Sequence, residues 1–304
     1  MLAFLPVFIR VPLVVLLLAL NVLVHVVPLF VLALLKMLLP LPAWRRLCSR
    51  LLVAIAESWI AVNNMLFDLF TRIRWRVDGL ADLNHGANYL VLANHQSWVD
   101  IPVLQKLLNR RIPFLRFFLK SQLIWVPLLG PAWWALDFPF MKRYTKATLA
   151  KRPELAGRDM EATRRACAKF RQVPVSVMNF VEGTRFTPAK HDAQGSPYRH
   201  LLKPRAGGVA FVLDAMGEGL DAILDVTIAY PGGPCSMLDL ITGRLREVRV
   251  NLRQRTIDPA LRGDYERDEA FRQRFQAWIN ELWREQDACM ERLLHLPAVW
   301  QARD

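Results

Sequence analysis

Cysteine is scarce in this chain. Four of its 304 residues, Cys48, Cys167, Cys235 and Cys289, are cysteines, and no two form a Cys-x-x-Cys pair. That spacing offers no zinc knuckle and no disulfide framework, and it predicts free buried thiols in a reducing compartment. Acidic residues are few as well: 27 Asp and Glu stand against 40 Lys and Arg, for a formal net charge of +13. Such a balance suits nucleic acid, an anionic membrane surface or a phosphorylated substrate. No recognised nucleic-acid module occurs, which argues against the first. Internal repeats and low-complexity tracts are also missing.

Charge itself vanishes from Val11 to Leu35, between Arg10 and Lys36. A spanning helix needs about 20 apolar residues, so the run is long enough. It is too long for the core of a cleaved signal peptide, and Pro40 to Ala43 leading into Trp44-Arg45-Arg46 is a poor cleavage context. Pro28 sits within the run and would kink one helix or separate two shorter ones, so a single span and a half-inserted hairpin both fit. Arg45, Arg46, Arg50, Arg72, Arg74 and Arg76 follow the run, whereas Arg10 alone precedes it. The positive-inside rule then puts the rest of the chain in the cytoplasm. The expected location is the cytoplasmic face of a bacterial inner membrane.

Residues 41–76 read as an amphipathic helix, with Leu51, Leu52, Ile55, Trp59, Val62, Leu66 and Leu69 at helical spacing. Packing on a folded domain and lying on a bilayer use the same pattern. Beyond Asp78, short apolar runs alternate with helical stretches. Tyr89–Ala93, Val175–Val181 and Leu224–Tyr230 read as buried strands. In the segment 248–253, Val248, Val250 and Leu252 alternate with Arg249, Asn251 and Arg253, which predicts a half-exposed strand. Helices are expected near 159–171, 207–216 and 265–294, and Thr187 to Arg199 reads as a mobile surface loop. Strands alternating with helices predict an α/β fold with a central mixed sheet flanked by helices. The expected division is an anchor over 1–40, an amphipathic linker at the membrane surface over 41–77, a catalytic domain over 78–258 and a C-terminal helical segment over 259–304.

Two elements carry chemistry. The strand 89–93 runs into Asn94-His95-Gln96-Ser97-Trp98-Val99-Asp100. An Asp five residues after a His can fold back onto one ring nitrogen and fix the tautomer, leaving the other nitrogen to accept a proton from a hydroxyl. That pair alone does not distinguish a general base from a His that caps a helix or lies buried in a turn. The second element, Val181-Glu182-Gly183-Thr184-Arg185, follows another predicted strand. Gly183 allows a tight turn and Arg185 suits a bidentate phosphate contact.

In order, Asn94-His95-x-x-x-x-Asp100, Glu182-Gly183-Thr184-Arg185 and Val226-x-Ile228-x-Tyr230-Pro231 resemble the 1-acyl-glycerol-3-phosphate acyltransferase family and its lysophospholipid acyltransferase relatives. Lys120-Ser-Gln-Leu123, Pro127-Leu128, Gly130, Phe138 to Arg143, Lys203 and Gly207 resemble its intervening blocks. The likeness covers about residues 79–235, and the wording around Asn179 to Thr187 is nearest the lysocardiolipin-acyltransferase-like branch. One departure is Met141-Lys142, where the family usually has an acidic residue before the arginine. The resemblance implies acyl transfer from a thioester co-substrate, acyl-CoA or acyl-carrier protein, to the free hydroxyl of lysophosphatidate or a related lysophospholipid. His95 would be the general base and Asp100 its orienter. Lys120 and Arg185, with Arg143 as a further candidate, would hold the acceptor phosphate. Glu182 would position Arg185 or the acceptor glycerol, and backbone amides near Gly183 would help bind an anion, with Thr184 in the same binding segment. It implies no metal and no bound cofactor. A phospholipid transacylase on the same fold and a non-catalytic lipid-binding membrane protein stay open.

Overall fold

The computed structural model describes residues 2–80, 83–141 and 174–297. Cys167, Arg143 and the helix expected at 159–171 lie outside the described residues. The apolar N-terminal run forms one continuous helix, α1 (Val7–Leu38), with Pro12 and Pro28 inside it. Pro28 does not divide it, because Val26 and Leu29 are packed in a cluster with Leu52, Ala56 and Ile60 that holds the helix on both sides of the proline. Pro42 then opens α2 (Pro42–Phe70) from its first turn, where a missing N–H costs nothing. Both helices are long and apolar enough to cross a membrane, by length and composition.

The two helices pair through a polar layer. The Asn21 carboxamide donates to Asn63 Oδ1 (2.8 Å) and to the Trp59 carbonyl (3.0 Å), and His25 Nε2 meets Ser58 Oγ at 3.2 Å. Further contacts reach the rest of the protein. The Arg10 guanidinium donates to the carbonyls of Ala3 and Thr242, and the Lys36 ammonium pairs with Asp137 at 3.2 Å. The opposite face of α1, including Phe8, Leu16, Leu23, Val27, Val31, Leu34 and Leu38, is exposed.

The helix expected over 41–76 ends at Phe70, and Arg74–Asp78 is a strand, β1. Its parallel ladder with β8 (Glu247–Arg255) overrides the helical reading of that basic stretch. The order continues through β2 (Tyr89–Ala93), α3 (Asp100–Leu108), β3 (Leu115–Phe117), β4 (Leu119–Lys120), α4 (Leu129–Ala135), β5 (Phe140–Met141) and β6 (Ser176–Phe180). It closes with α5 (Pro188–Gln194), α6 (Ala206–Met216), β7 (Ala222–Ala229), α7 (Met237–Ile241), β8 and α8 (Glu269–His295). Six strands form one mixed sheet in the order β1-β8-β7-β2-β6-β3, antiparallel only between β7 and β8.

The central strands are buried on both faces, as expected from their unbroken apolar runs. Leu90 and Leu92 pack with Val209, Leu213, Phe275 and Trp283 under α6 and α8. Tyr89, Val91 and Ala93 point the other way, to Val103, Leu104 and Leu108 of α3. Strand β8 departs from its half-exposed expectation at Arg249. This side chain is buried, takes Glu247 as its ion-pair partner at 2.6 Å and donates to the Leu296 carbonyl (2.8 Å), so it caps the end of α8. The expected mobile loop contains α5 instead. Thr187 caps it through Lys190 N–H, Pro188 occupies its first turn, and Gly195 ends it in the left-handed region.

Candidate active site

Strands β7, β2 and β6 are neighbours and run parallel, so their carboxyl ends open on one edge of the sheet. Ala93 lies beside Phe180 on one side and Val226 on the other. That register brings together Asn94-His95, the Glu182-to-Arg185 turn and Tyr230. In open parallel sheets this edge is where ligands bind.

The turn after β2 folds back on itself. His95 Nδ1 and Asp100 Oδ2 lie 2.9 Å apart, and the same oxygen accepts the backbone N–H groups of Gln96 (2.7 Å) and Ser97 (2.9 Å). Asp100 is fully buried, at the first turn of α3, where a helix N-terminus favours an anion. The two backbone N–H donors fix Oδ2 as an acceptor, so the tautomer that suits the contact carries its hydrogen on Nδ1 and leaves Nε2 as the basic nitrogen. Among the described residues no hydrogen bond occupies Nε2, and the side chain is 12% exposed. The imidazole is stacked on Phe180, with ring centres 3.9 Å apart and planes 13° from parallel.

Glu182 is fully buried and is not turned towards Arg185. Its carboxylate accepts the His95 backbone N–H (2.8 Å) and the Leu202 N–H (3.1 Å), which ties the turns after β2 and β6 together from behind. Burial pushes its carboxyl up to about 8, against the pull of those two bonds. The folded pKa therefore lies above the ordinary value, and the contribution to stability is full in acid and lost as pH rises through about 8. We expect the melting temperature to fall between about pH 4.5 and about pH 8, and Glu182→Gln to flatten much of that fall. An unchanged slope in the variant would assign the titration to another group.

Gly183 adopts φ +68°, the left-handed region that suits glycine, and its N–H donates to the Phe180 carbonyl at 2.8 Å. Its amide is therefore engaged in the turn. The Thr184 hydroxyl accepts from Lys190 Nζ (2.8 Å), which also donates to the Arg185 carbonyl (2.9 Å). The Arg185 guanidinium is exposed and lies over the half-exposed Trp98 ring, 4.7 Å from its centre. A second tie joins the two segments, since Phe186 N–H donates to the His95 carbonyl at 2.7 Å. Lys120 is exposed in β4, three residues beyond β3 at the sheet edge next to β6. Among the described residues no hydrogen bond or ion pair holds its ammonium. Arg143 lies outside the described residues.

The structure thus brings His95, Asp100, Glu182, Gly183, Thr184 and Arg185 into one constellation. Sequence reading missed Phe180 and Lys190, and quoted Tyr230 only as part of a motif. The aromatic at the end of a buried strand one turn before the acidic motif was the available signal for Phe180. Among the described residues no three of His, Cys, Asp and Glu converge as metal ligands. Cys48, Cys235 and Cys289 are free thiols, the first and last buried.

A family model described as Acyltransferase matches residues 74–231, just over half of the chain. Lysocardiolipin acyltransferase 1 of Danio rerio is 27% identical over 253 residues, 78% of this chain and 60% of that protein. The 1-acyl-sn-glycerol-3-phosphate acyltransferase epsilon of Mus musculus is 30% identical over 158 residues, 48% of this chain and 41% of that protein. The chain therefore spans less than two thirds of the length of these curated relatives. Among solved structures, the 1-acyl-sn-glycerophosphate (LPA) acyltransferase PlsC from Thermotoga maritima superposes with a TM-score of 0.56 at 18% identity. That match covers 98% of this chain and all of the other, a likeness of fold.

Proposed function

The chain belongs to the Acyltransferase family, and from that membership we propose that it moves a fatty acyl group from an acyl thioester to the free hydroxyl of lysophosphatidate or a related lysophospholipid. The observation that carries this reading is the oriented pair: Asp100 holds His95 Nδ1 at 2.9 Å, while among the described residues no hydrogen bond occupies Nε2 of the partly exposed ring. Nε2 takes the proton of the acceptor hydroxyl as its oxygen attacks the thioester carbonyl. The tetrahedral intermediate then collapses, the C–S bond breaks, and the proton on His95 passes to the departing thiolate. Ester and free thiol leave, and His95 is neutral again. The donor, acyl-CoA or acyl-carrier protein, is a co-substrate, and this sequence of steps draws on no resident metal or cofactor.

Arg185 is the cation best placed for the acceptor phosphate, because it is exposed at the His95 turn and pre-aimed by Trp98. Lys190 is fixed on the same turn, and Lys120 adds charge at the neighbouring strand end. A phosphomonoester offers such a group more charge and more oxygens than a phosphodiester does. The membrane supplies the acceptor. Arg10 and Lys36, near the two ends of α1, are both bonded to residues of the catalytic domain, so α1 lies along the domain. That geometry favours a half-inserted hairpin of α1 and α2 on the cytoplasmic face over a perpendicular span. Its exposed apolar face would enter the lipid, and the net charge of +13 would hold an anionic surface.

The test is a panel of lysolipids in anionic vesicles with acyl-CoA, reading ester product and released thiol together. Lysophosphatidate should be the preferred acceptor, and the protein should stay on the vesicles in high salt. Arg185→Ala should raise the acceptor KM about tenfold or more and leave the donor KM nearly unchanged, with Arg185→Lys recovering part of the loss. An Arg185→Ala defect confined to the donor would move this residue to the thioester side. Product formed from intact phospholipid without thiol release would favour a transacylase, and no product from any acceptor would favour a lipid-binding role.

A further inference from the structure

The contacts of Asp100 are divided unequally between its two oxygens. Oδ2 meets three donors, all from its own turn: His95 Nδ1, Gln96 N–H and Ser97 N–H. Oδ1 accepts one bond, from the Tyr230 hydroxyl at 2.6 Å, a residue 130 positions away at the end of β7. We propose that Tyr230 is a positioning residue for the His95–Asp100 pair, which locks the plane of the carboxylate so that Oδ2 stays aimed at Nδ1.

The terminal torsion of a carboxylate is soft and turns both oxygens together, so a bond that holds Oδ1 from outside the turn also restrains Oδ2. Asp100 is fully buried and Tyr230 is 4% exposed, so bulk water is kept from replacing the hydroxyl. The phenol stays a donor, because burial beside the Asp100 charge pushes its ionisation well above the ordinary range. Its own position is fixed twice. The Asn94 carboxamide exchanges two hydrogen bonds with the backbone of Ile228, at 2.9 and 2.8 Å, which clamps the end of β7 to the end of β2. Beyond Tyr230, the Ser97 hydroxyl donates to the Cys235 carbonyl at 2.6 Å and staples the following loop to the His95 turn. The residue thus makes the geometry of a turn on β2 depend on the placement of β7. A bland alternative is that the Tyr230 ring only fills the apolar cluster with Val226, Ile228 and Leu240.

This inference rests on the acyl-transfer reading, and Tyr230→Phe separates the two, since it keeps the ring and removes one O–H. In the full-length protein on vesicles, kcat should fall about tenfold while both KM values stay within about twofold. A second measurement needs no turnover. The hydrogen between His95 Nδ1 and Asp100 should give a downfield proton resonance, assigned by its disappearance in His95→Gln. In Tyr230→Phe that resonance should shift and exchange faster with water. A wild-type kcat in the variant, a defect confined to KM, or an unaltered resonance would overturn the positioning role. An inactive wild-type protein with a resonance that responds to Tyr230→Phe would instead overturn acyl transfer and keep the positioning role.

Discussion

His95→Ala should reduce kcat about 10²–10⁴-fold, the usual contribution of a positioned general base, while the protein remains folded and vesicle-bound. The variant is expected to fold because the His95 backbone keeps its structural work. Its N–H still donates to Glu182, and its carbonyl still accepts from Phe186. The ring itself packs on Phe180 at the open edge and leaves little core behind. Turnover is read as thiol release from acyl-CoA with saturating acceptor, and binding as co-flotation with vesicles. Near-normal kcat in the purified variant would remove His95 from the chemistry and leave the strand-end constellation without a base.

Asp100→Asn should cost at least about 10²-fold in kcat with a melting temperature close to that of the unsubstituted protein. The amide is isosteric, and the structure dictates how it must sit. Gln96 N–H, Ser97 N–H and His95 Nδ1 all point at one atom, so the amide oxygen has to take that place. The amide nitrogen then faces the Tyr230 hydroxyl, which can turn to accept. The turn and the tautomer both survive. What disappears is the negative charge that stabilises the imidazolium formed when the acceptor hydroxyl is deprotonated. Asp100→Ala is a different experiment, since it leaves several donors unsatisfied in a dry site and should lower the melting temperature as well. Equal rates for Asp100→Asn and the unsubstituted protein would show that Asp100 serves the turn alone.

Motifs read as points along a chain gave the residue types, while their partners depended on the sheet. Tyr230, Phe180 and Leu202 touch the His95 turn or its buried Glu182 because β7, β2 and β6 are adjacent and in a particular register. Glu182 shows the difference most clearly. Its place directly after a strand suggested a substrate-facing group, yet the turn at Gly183 directs the carboxylate inward onto two backbone N–H groups. Arg249 behaves alike: polar alternation marked it as exposed, and the last turn of α8 covers it.

Local pattern by itself determined a good deal. The uncharged run from Val11 to Leu35 marked an apolar helical segment, without deciding whether Pro28 would divide it, the apolar run Tyr89–Ala93 marked a buried strand, and the five-residue spacing of His95 and Asp100 a turn that closes on itself. These are short-range properties, set by side-chain periodicity and by how far a few residues can reach. The structure corrected two further local readings: the helix expected over 41–76, which stops at Phe70 and gives way to a strand at Arg74–Asp78, and the loop expected over 187–199, which holds the helix Pro188–Gln194. For the last, Thr187, Pro188 and Gly195 were legible as cap, first turn and stop, but the stretch from Thr187 to Arg199 was read as a loop. Only the tertiary structure decided which strand ends became neighbours, and therefore that Glu182 would brace His95 and Tyr230 would hold Asp100. The physical reason is that strand order is settled by burying two apolar faces at once, under α3 on one side and under α6 and α8 on the other. That choice is made over hundreds of residues, and no stretch of a dozen carries it.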